Sequence, residues 1–199
     1  MSAPAEPGRI GPNAITRMAE ALELLAGAQA RDAIFEEAGL THHLATPPTR
    51  MVPDDEVALL HAAVFAHLGV ARGRAIGVEA GRRTGAYLLG HRIPKLARWL
   101  LPLLPRRLAL NILLKAIERH AWTFAGRGVF TWKATSEGFE LSLENNPVSR
   151  KIWAEEAVCD YYGATFETLF RALAGPNIRV EETECAAASD PRCVFRVTL

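Results

Sequence analysis

The chain lacks most of the features that announce a function. Of its 199 residues only three are cysteine, an odd count that cannot build a disulfide scaffold. No run of about 18 uncharged apolar residues is present, so no segment is suited to span a bilayer as a helix. The N-terminus has none of the cation, apolar and small-residue succession of a secretory signal. Free thiols without such a signal predict a reducing, cytoplasmic setting. The net charge is +1, which supplies no field for a polyanion, and nucleic-acid binding is not expected. Also missing is the strand, Gly-rich turn and helix that cradle a dinucleotide, because Gly126-Arg-Gly128 precedes a predicted strand. No Gly-x-Ser-x-Gly occurs, and no flavin or iron–sulfur signature is visible. A self-sufficient reductase or hydrolase therefore has no support in these residues.

What is present is a chain 49% hydrophobic, enough for one sizeable core. Residues 1–12 are rich in Pro, Gly and Ala and are expected to form a flexible tail. Ile15, Met18, Leu22 and Leu25 recur at helical spacing behind Asn13 and predict a helix over 13–26. A second helix is expected over 30–38, ended by Gly39, and a third from Asp54 to Leu68. These make a helical N-terminal part, 13–69, ahead of a domain over 70–199. Gly73, Gly77, Gly81 and Gly85 recur every four residues, which lines one side of a helix with glycine. Each interior Gly costs about 1 kcal/mol relative to Ala, so a close neighbour must offset it. Either another backbone or a flat ligand would do so. Pro94, Pro102 and Pro105 allow only short helical pieces over 93–104. Between Pro105 and His120, the polar residues Arg107, Asn111, Lys115 and Glu118 form a narrow stripe, which predicts a helix covered on most sides. A hairpin over 129–134 and 139–144, a long helix from Ser149 or Lys151 to Ala174, and strands over 178–184 and 193–199 complete the pattern. The prediction is α+β: helices first, an antiparallel sheet late, and one long helix packed on it.

All three cysteines lie in the last forty or so residues, with acidic neighbours, in the pattern Cys159-x22-Glu182-x2-Cys185-x7-Cys193. Three thiolates and a carboxylate make a closed tetrahedral zinc shell, which would serve stability and leave no position for activated water. Buried structural cysteines are the competing reading, and spacing alone does not choose among Glu181, Glu182 and Glu184.

A second constellation surrounds His120. It shares an apolar helix face with Leu113 and Ile117, is followed by Trp122 and Phe124, and is joined by Trp132 from the next strand. Such a group is either ordinary core or an aromatic wall with one imidazole suited to the central metal of a flat macrocycle. From Pro94 to His120 the charge is one-sided: Lys95, Arg98, Arg106, Arg107, Lys115 and Arg119 stand against Glu118. Most such charges form a solvated face, but an apolar, Arg-rich stretch also suits a carboxylated amphiphile or peripheral contact with an anionic membrane.

Cys159-Asp-Tyr-Tyr-Gly163, Val180-Glu-Glu-Thr-Glu-Cys185 and Asp190-Pro-Arg-Cys193-Val-Phe195 resemble the closing segment of the 4-vinyl reductase domain family. Glu79-Ala-Gly-Arg-Arg-Thr-Gly85 resembles one of its helices. Zinc-binding members use Cys, Glu, Cys and Cys at this spacing, so the resemblance implies Cys159, Glu182, Cys185 and Cys193 as ligands of a structural zinc. Members usually carry Gly where this chain has Ser189, which would resist a positive φ there. Gly11-Pro-Asn-Ala-Ile15 and Ile117-Glu-Arg-His-Ala-Trp-Thr-Phe-Ala-Gly126 are similar to bacteriochlorophyll-biosynthesis members, some of them named divinyl protochlorophyllide 8-vinyl reductases. The wider family includes ligand-sensing domains that bind small aromatics without transforming them.

The resemblance implies a 4-vinyl-reductase-type α+β fold and a tetrapyrrole ligand of the Mg-protoporphyrin or divinyl protochlorophyllide type. With no nucleotide site, the expected role is carrier or accessory factor, non-catalytic. Reduction of the 8-vinyl group with an external electron donor is the alternative, and presentation of substrate to chlorophyll-biosynthesis enzymes is a third reading. The pocket is expected between the late sheet and the helix ending at His120. Trp122, Phe124 and Trp132 would line it, Gly81 and Gly85 would permit close approach, and Arg82 and Arg119 would pair with the propionate. Exposed Leu faces on the helical extension predict a homodimer.

Overall fold

The computed structural model describes residues 8–199. Those residues build two sheets and seven α-helices. A two-residue strand β1 (Arg9–Ile10) pairs antiparallel with β2 (Val52–Pro53). Of the expected tail, 1–7 lie outside the described residues, and the remainder corrects the expectation. Ile10 is 2% exposed and belongs to the core, because its single apolar side chain meets a partner strand ahead of the third major helix.

Helices α1 (Asn13–Ala26) and α2 (Ala28–Glu37) bury Ile15, Met18, Leu22, Ile34 and Phe35. Helix α2 ends as expected at Gly39, whose amide donates to Glu36 O while that of Leu40 donates to Phe35 O at 2.7 Å. After the short α3 (His42–Ala45), α4 (Asp54–His91) runs through the expected 69/70 boundary. It is kinked there by Gly69, whose φ of 75° is open to glycine and resisted by other residues.

Beyond the kink Gly77, Gly81 and Gly85 of the stripe meet α7 (Asp160–Ala174), while Gly73 faces Phe65, and α4 with α7 forms the most extensive helix contact of the fold. A Cβ on Gly81 would stand 2.9 Å from Ala164 Cβ and 3.1 Å from the Thr165 amide nitrogen. One on Gly85 would stand 2.7 Å from Thr168 Cβ. The near backbones are tied by Thr165 Oγ1, 3.1 Å from the Gly81 carbonyl, and by Thr84 Oγ1 with the Tyr161 hydroxyl at 3.0 Å. Helix-to-helix approach therefore offsets the glycine cost.

Helix α5 (Lys95–Leu100) leads through a 3₁₀ turn to α6 (Arg106–Arg119). Only Ala109, Leu110, Leu113 and Leu114 of α6 are buried, while Leu108 and Ile112 are exposed, so the expectation of a helix covered on most sides is corrected. The late sheet is antiparallel in the order β3 (Val129–Ala134), β4 (Gly138–Glu144), β6 (Cys193–Thr198), β5 (Arg179–Glu184). Phe139, Leu141, Phe195 and Val197 point from it into the core, against Phe166 and Phe170 of α7. The helix expected from Ser149 or Lys151 begins only at Asp160. Residues 145–159 wrap the cysteines instead, held by Asn146, by Ser149 and by the Ala154 amide, which donates to Ala187 O at 2.8 Å.

Candidate functional site

Cys185 directly follows β5 and Cys193 opens β6, so the pairing of these two strands brings the two thiols together. A bulge between Glu182 and Glu184 leaves Glu182 opposite Phe195. The connection turns back through a 3₁₀ turn at Ala186–Ala188 and through Ser189, which sits at φ 72°. The Asp190 carboxylate fixes that turn by accepting from the Cys185 amide at 2.7 Å. Ser189 thus adopts the left-handed conformation that a glycine would accept more readily, at a cost of about 1–2 kcal/mol. Cys159 comes from the N-terminal edge of α7, and its amide donates to Glu182 Oε2 at 2.7 Å.

The four ligand atoms lie within 4.8 Å of one another. Cys159 Sγ is 3.2 Å from Cys193 Sγ, which is 3.9 Å from Cys185 Sγ, and all three thiols are free. Tetrahedral zinc with Zn–S bonds of about 2.3 Å would set neighbouring sulfurs about 3.8 Å apart, which matches the Cys193–Cys185 separation and asks the Cys159–Cys193 pair to open by about 0.6 Å. Cys193 Sγ also accepts from Asn146 Nδ2 at 3.2 Å and from the Ala186 amide at 3.4 Å, donors suited to a thiolate. Glu182 Oε1 is buried without a partner.

The electrostatics of the group are strained. Burial pushes the Cys159 thiol well above its ordinary range. Burial and the Cys185 thiol raise Glu182 to about 8. Hydrogen bonds from the Cys159 and Cys185 thiols hold Cys193 at about 4. A bound cation would relieve both the orphan oxygen and the crowding of anionic donors. The residues fit a metal ion with four protein ligands and no open position.

The residues of the expected pigment pocket are not brought into one place. Gly81 and Gly85 face α7, whose backbone and side chains fill the space a flat ligand would need, so their expected role is corrected. Arg82 lines a cleft of about 440 Å³ between α4, α7 and β5, beside Cys159 and Glu182. Phe124 packs edge-on against Phe130 and Phe166 and so belongs largely to the core. His120, Arg119 and Trp122 lie on the surface, with Trp122 60% exposed. Trp132 is half-buried over Phe139, and its Nε1 donates to Glu118 Oε2 at 3.2 Å. His120 Nδ1 lies 2.8 Å from the Ala116 carbonyl. A carbonyl can only accept, so Nδ1 carries the proton and Nε2 of the neutral ring is left as a free acceptor.

Sequence reasoning missed the burial of two titratable groups, Asp54 and His61. Asp54, placed only as a helix start, is fully buried and accepts from the Arg127 amide at 2.9 Å and from the guanidinium groups of Arg127 and Arg150 at 2.8 and 3.2 Å. Its charge on a first helical turn was legible, its two arginine partners far along the chain were not. His61 is 1% exposed on α4, stacked edge-on with Tyr161, and its Nε2 has no partner. Its neighbours Leu60 and Val64 signalled an apolar face.

This α+β fold, with a thiol–carboxylate cluster at the joint of its last two strands, is the architecture of a 4-vinyl reductase domain, and residues 139–199 match the model of that domain family. The chain is 37% identical over 98% of its length to the bacteriochlorophyll synthase 23 kDa chain of Cereibacter sphaeroides, covering 92% of that protein. It is 35% identical over 94% of its length to the protein of the same name from Rhodobacter capsulatus, covering 85% of it. It belongs to this family of bacteriochlorophyll synthase 23 kDa chains. Among solved structures, an unliganded Fe(II) H-NOX protein from K. algicida shares the fold with a TM-score of 0.64 at 12% identity, over 95% of this chain and 96% of that one. The phenol-responsive sensory domain of the transcription activator PoxR, solved with phenol, has a TM-score of 0.52 at 18% identity over 86% and 90% of the two chains.

Proposed function

We propose that this protein acts in bacteriochlorophyll biosynthesis as a carrier or accessory factor that binds a magnesium tetrapyrrole precursor, of the Mg-protoporphyrin or divinyl protochlorophyllide type. The carrying observation is the near full-length likeness to the bacteriochlorophyll synthase 23 kDa chain of Cereibacter sphaeroides. The fold supports it further, since structures sharing it are described by protein-induced porphyrin distortion. Two exposed groups just after α6 suit such a ligand: Trp122 offers an open indole face, and the oriented imidazole of His120 offers a free Nε2. An open face favours hand-over to chlorophyll-biosynthesis enzymes over chemistry in a sealed site.

The test is an absorption spectrum of the protein titrated with Mg-protoporphyrin or protochlorophyllide, with and without NADPH. Stoichiometric binding that needs no NADPH, with no change of the 8-vinyl group, is expected. Conversion to the monovinyl pigment would make the protein the 8-vinyl reductase instead. His120→Ala should weaken the metallated pigment about tenfold or more and spare the metal-free one, whereas Trp122→Ala should weaken both.

The same proposal assigns zinc to Cys159, Glu182, Cys185 and Cys193 as a stabilising ion, supported by the donor set and the unpartnered Glu182 oxygen. It also includes a homodimer, supported by exposed Leu24 and Leu25 on α1 and Leu59 on α4. Sedimentation that returns only monomer at micromolar concentration would remove the dimer.

A further inference from the structure

Helix α5 and the 3₁₀ turn after it are inverted relative to a helix of an ordinary soluble surface. Leu96, Trp99, Leu100 and Leu103 follow i, i+3, i+4, i+7 spacing and so share one face. That face points outward: Leu96 is 65% exposed, Trp99 68% and Leu103 69%. The opposite side is apolar too, with Leu101 buried and Ala97 and Leu104 packed against the core. The segment is therefore fixed to the body on one side and offers a ridge of large apolar groups on the other. Contiguous exposed apolar surface of this kind marks an interaction site.

The charge around the ridge has one sign. From residue 92 to residue 117 there are six cations, Arg92, Lys95, Arg98, Arg106, Arg107 and Lys115, and no carboxylate. Among the described residues none of the six takes part in a salt bridge. Arg107 is engaged with the Thr135 and Ser136 carbonyls, which leaves its charge uncompensated. On α6 the exposed positions Leu108, Ile112 and Lys115 form a second stripe, two apolar residues followed by a cation. Lys95 stands one helical turn before Trp99, on the same face.

We infer that the face built by α5, its 3₁₀ turn and the outer stripe of α6 docks on an anionic phospholipid bilayer. Leu96, Trp99, Leu100 and Leu103 enter the boundary between headgroups and acyl chains, and the surrounding lysines and arginines meet the lipid phosphates. Large apolar side chains with a Trp among them, ringed by cations, are what interfacial binding uses, and none of the described helices is long and apolar enough to cross the bilayer. A protein partner would need an apolar groove bearing acidic groups. The bilayer needs only the ridge and the charge. This contact is separate from the pigment reading, and either can fail alone.

The experiment is co-sedimentation of the full chain with vesicles of phosphatidylcholine alone and of phosphatidylcholine with about one third phosphatidylglycerol. Expected is binding to the anionic vesicles, weakened by raised salt through screening. The pair Leu96→Ser with Trp99→Ser should cut the partition coefficient about tenfold or more, as should the charge reversals Lys95→Glu with Lys115→Glu. All four sites are exposed, and unchanged thermal melting checks that the variants fold. Binding to neither vesicle, or equal binding to both, overturns the proposal. Loss of self-association in the Leu96 and Trp99 variant without vesicle binding also overturns it, because a second copy then covers the face.

Discussion

His61 carries an unpartnered Nε2 in a buried position against Tyr161, which costs about 1–3 kcal/mol. Burial lowers its pKa from 6.5 to about 3, so the folded protein holds it neutral. The unfolded chain protonates at about 6.5 and binds more protons below that value, so stability falls as pH drops from about 6.5 towards 3. His61→Leu removes both effects. Urea unfolding should show the variant equal to or more stable than wild type at pH 7, with a shallower loss by pH 5. A steeper loss would mean that His61 is charged in the fold.

Cys185 is the side chain on which the metal is best tested. Taking one thiolate from the cluster leaves Cys193, 3.9 Å away, and Glu182 poorly compensated, and metal binding is itself folding energy. Cys185→Ser should lower the zinc content of purified protein by most of one equivalent and give a loosened or insoluble product. A metal-free wild type that melts like the variant would make the four residues ordinary core.

Among the helices and strands, the pairing of α4 with α7 depends on the absence of a side chain at Gly81. Gly81→Ala puts a methyl against Ala164 and the α7 backbone, and backbone has little freedom to move aside. The helical gain of about 1 kcal/mol from replacing Gly is then outweighed by overpacking of about 1–3 kcal/mol. Gly90→Ala on the same helix meets nothing within 4 Å and should be neutral or stabilising by up to about 1 kcal/mol. Thermal melts of the two variants separate packing from propensity. Equal shifts would show that α7 yields.

Across the fold, Asp54 joins the first strand, the long helix and the loops carrying Arg127 and Arg150. Gly8 O accepts its amide at 2.8 Å, and its carboxylate accepts from both arginines. Burial opposes its ionisation, but hydrogen bonds from Arg127 and Arg150 prevail and hold its pKa at about 2. Its contribution is complete above the unfolded value of 3.8 and is lost as pH falls towards 2. Asp54→Asn should cost about 2 kcal/mol at pH 7, since Arg127 and Arg150 lose one charged partner and keep Asp55, and it should flatten the acid limb below pH 4. A wild-type acid limb in that variant would place the acid sensitivity elsewhere.

Much of this was legible in the amino-acid order: the α+β succession, the hairpin, the two last strands, the Gly39 helix stop and the nearness of Cys185 to Cys193. Each rests on local periodicity, turn chemistry or short spacing, which are written in neighbouring residues. Which surface each helix presents was settled by packing. Leu108 and Ile112 read as parts of a helix covered on most sides and are exposed, while Asp54 reads as the start of a helix and is buried. Packing also settled that residues 151–159 wrap the thiols in place of extending α7, because Asn146 and Ser149 find their partners on Cys193, 44 or more residues away. Gly81 and Gly85 were legible as a place of close approach, yet that α7 is the element that approaches follows from packing two distant segments. Burial and partner choice are properties of the assembled chain, and no local pattern records them.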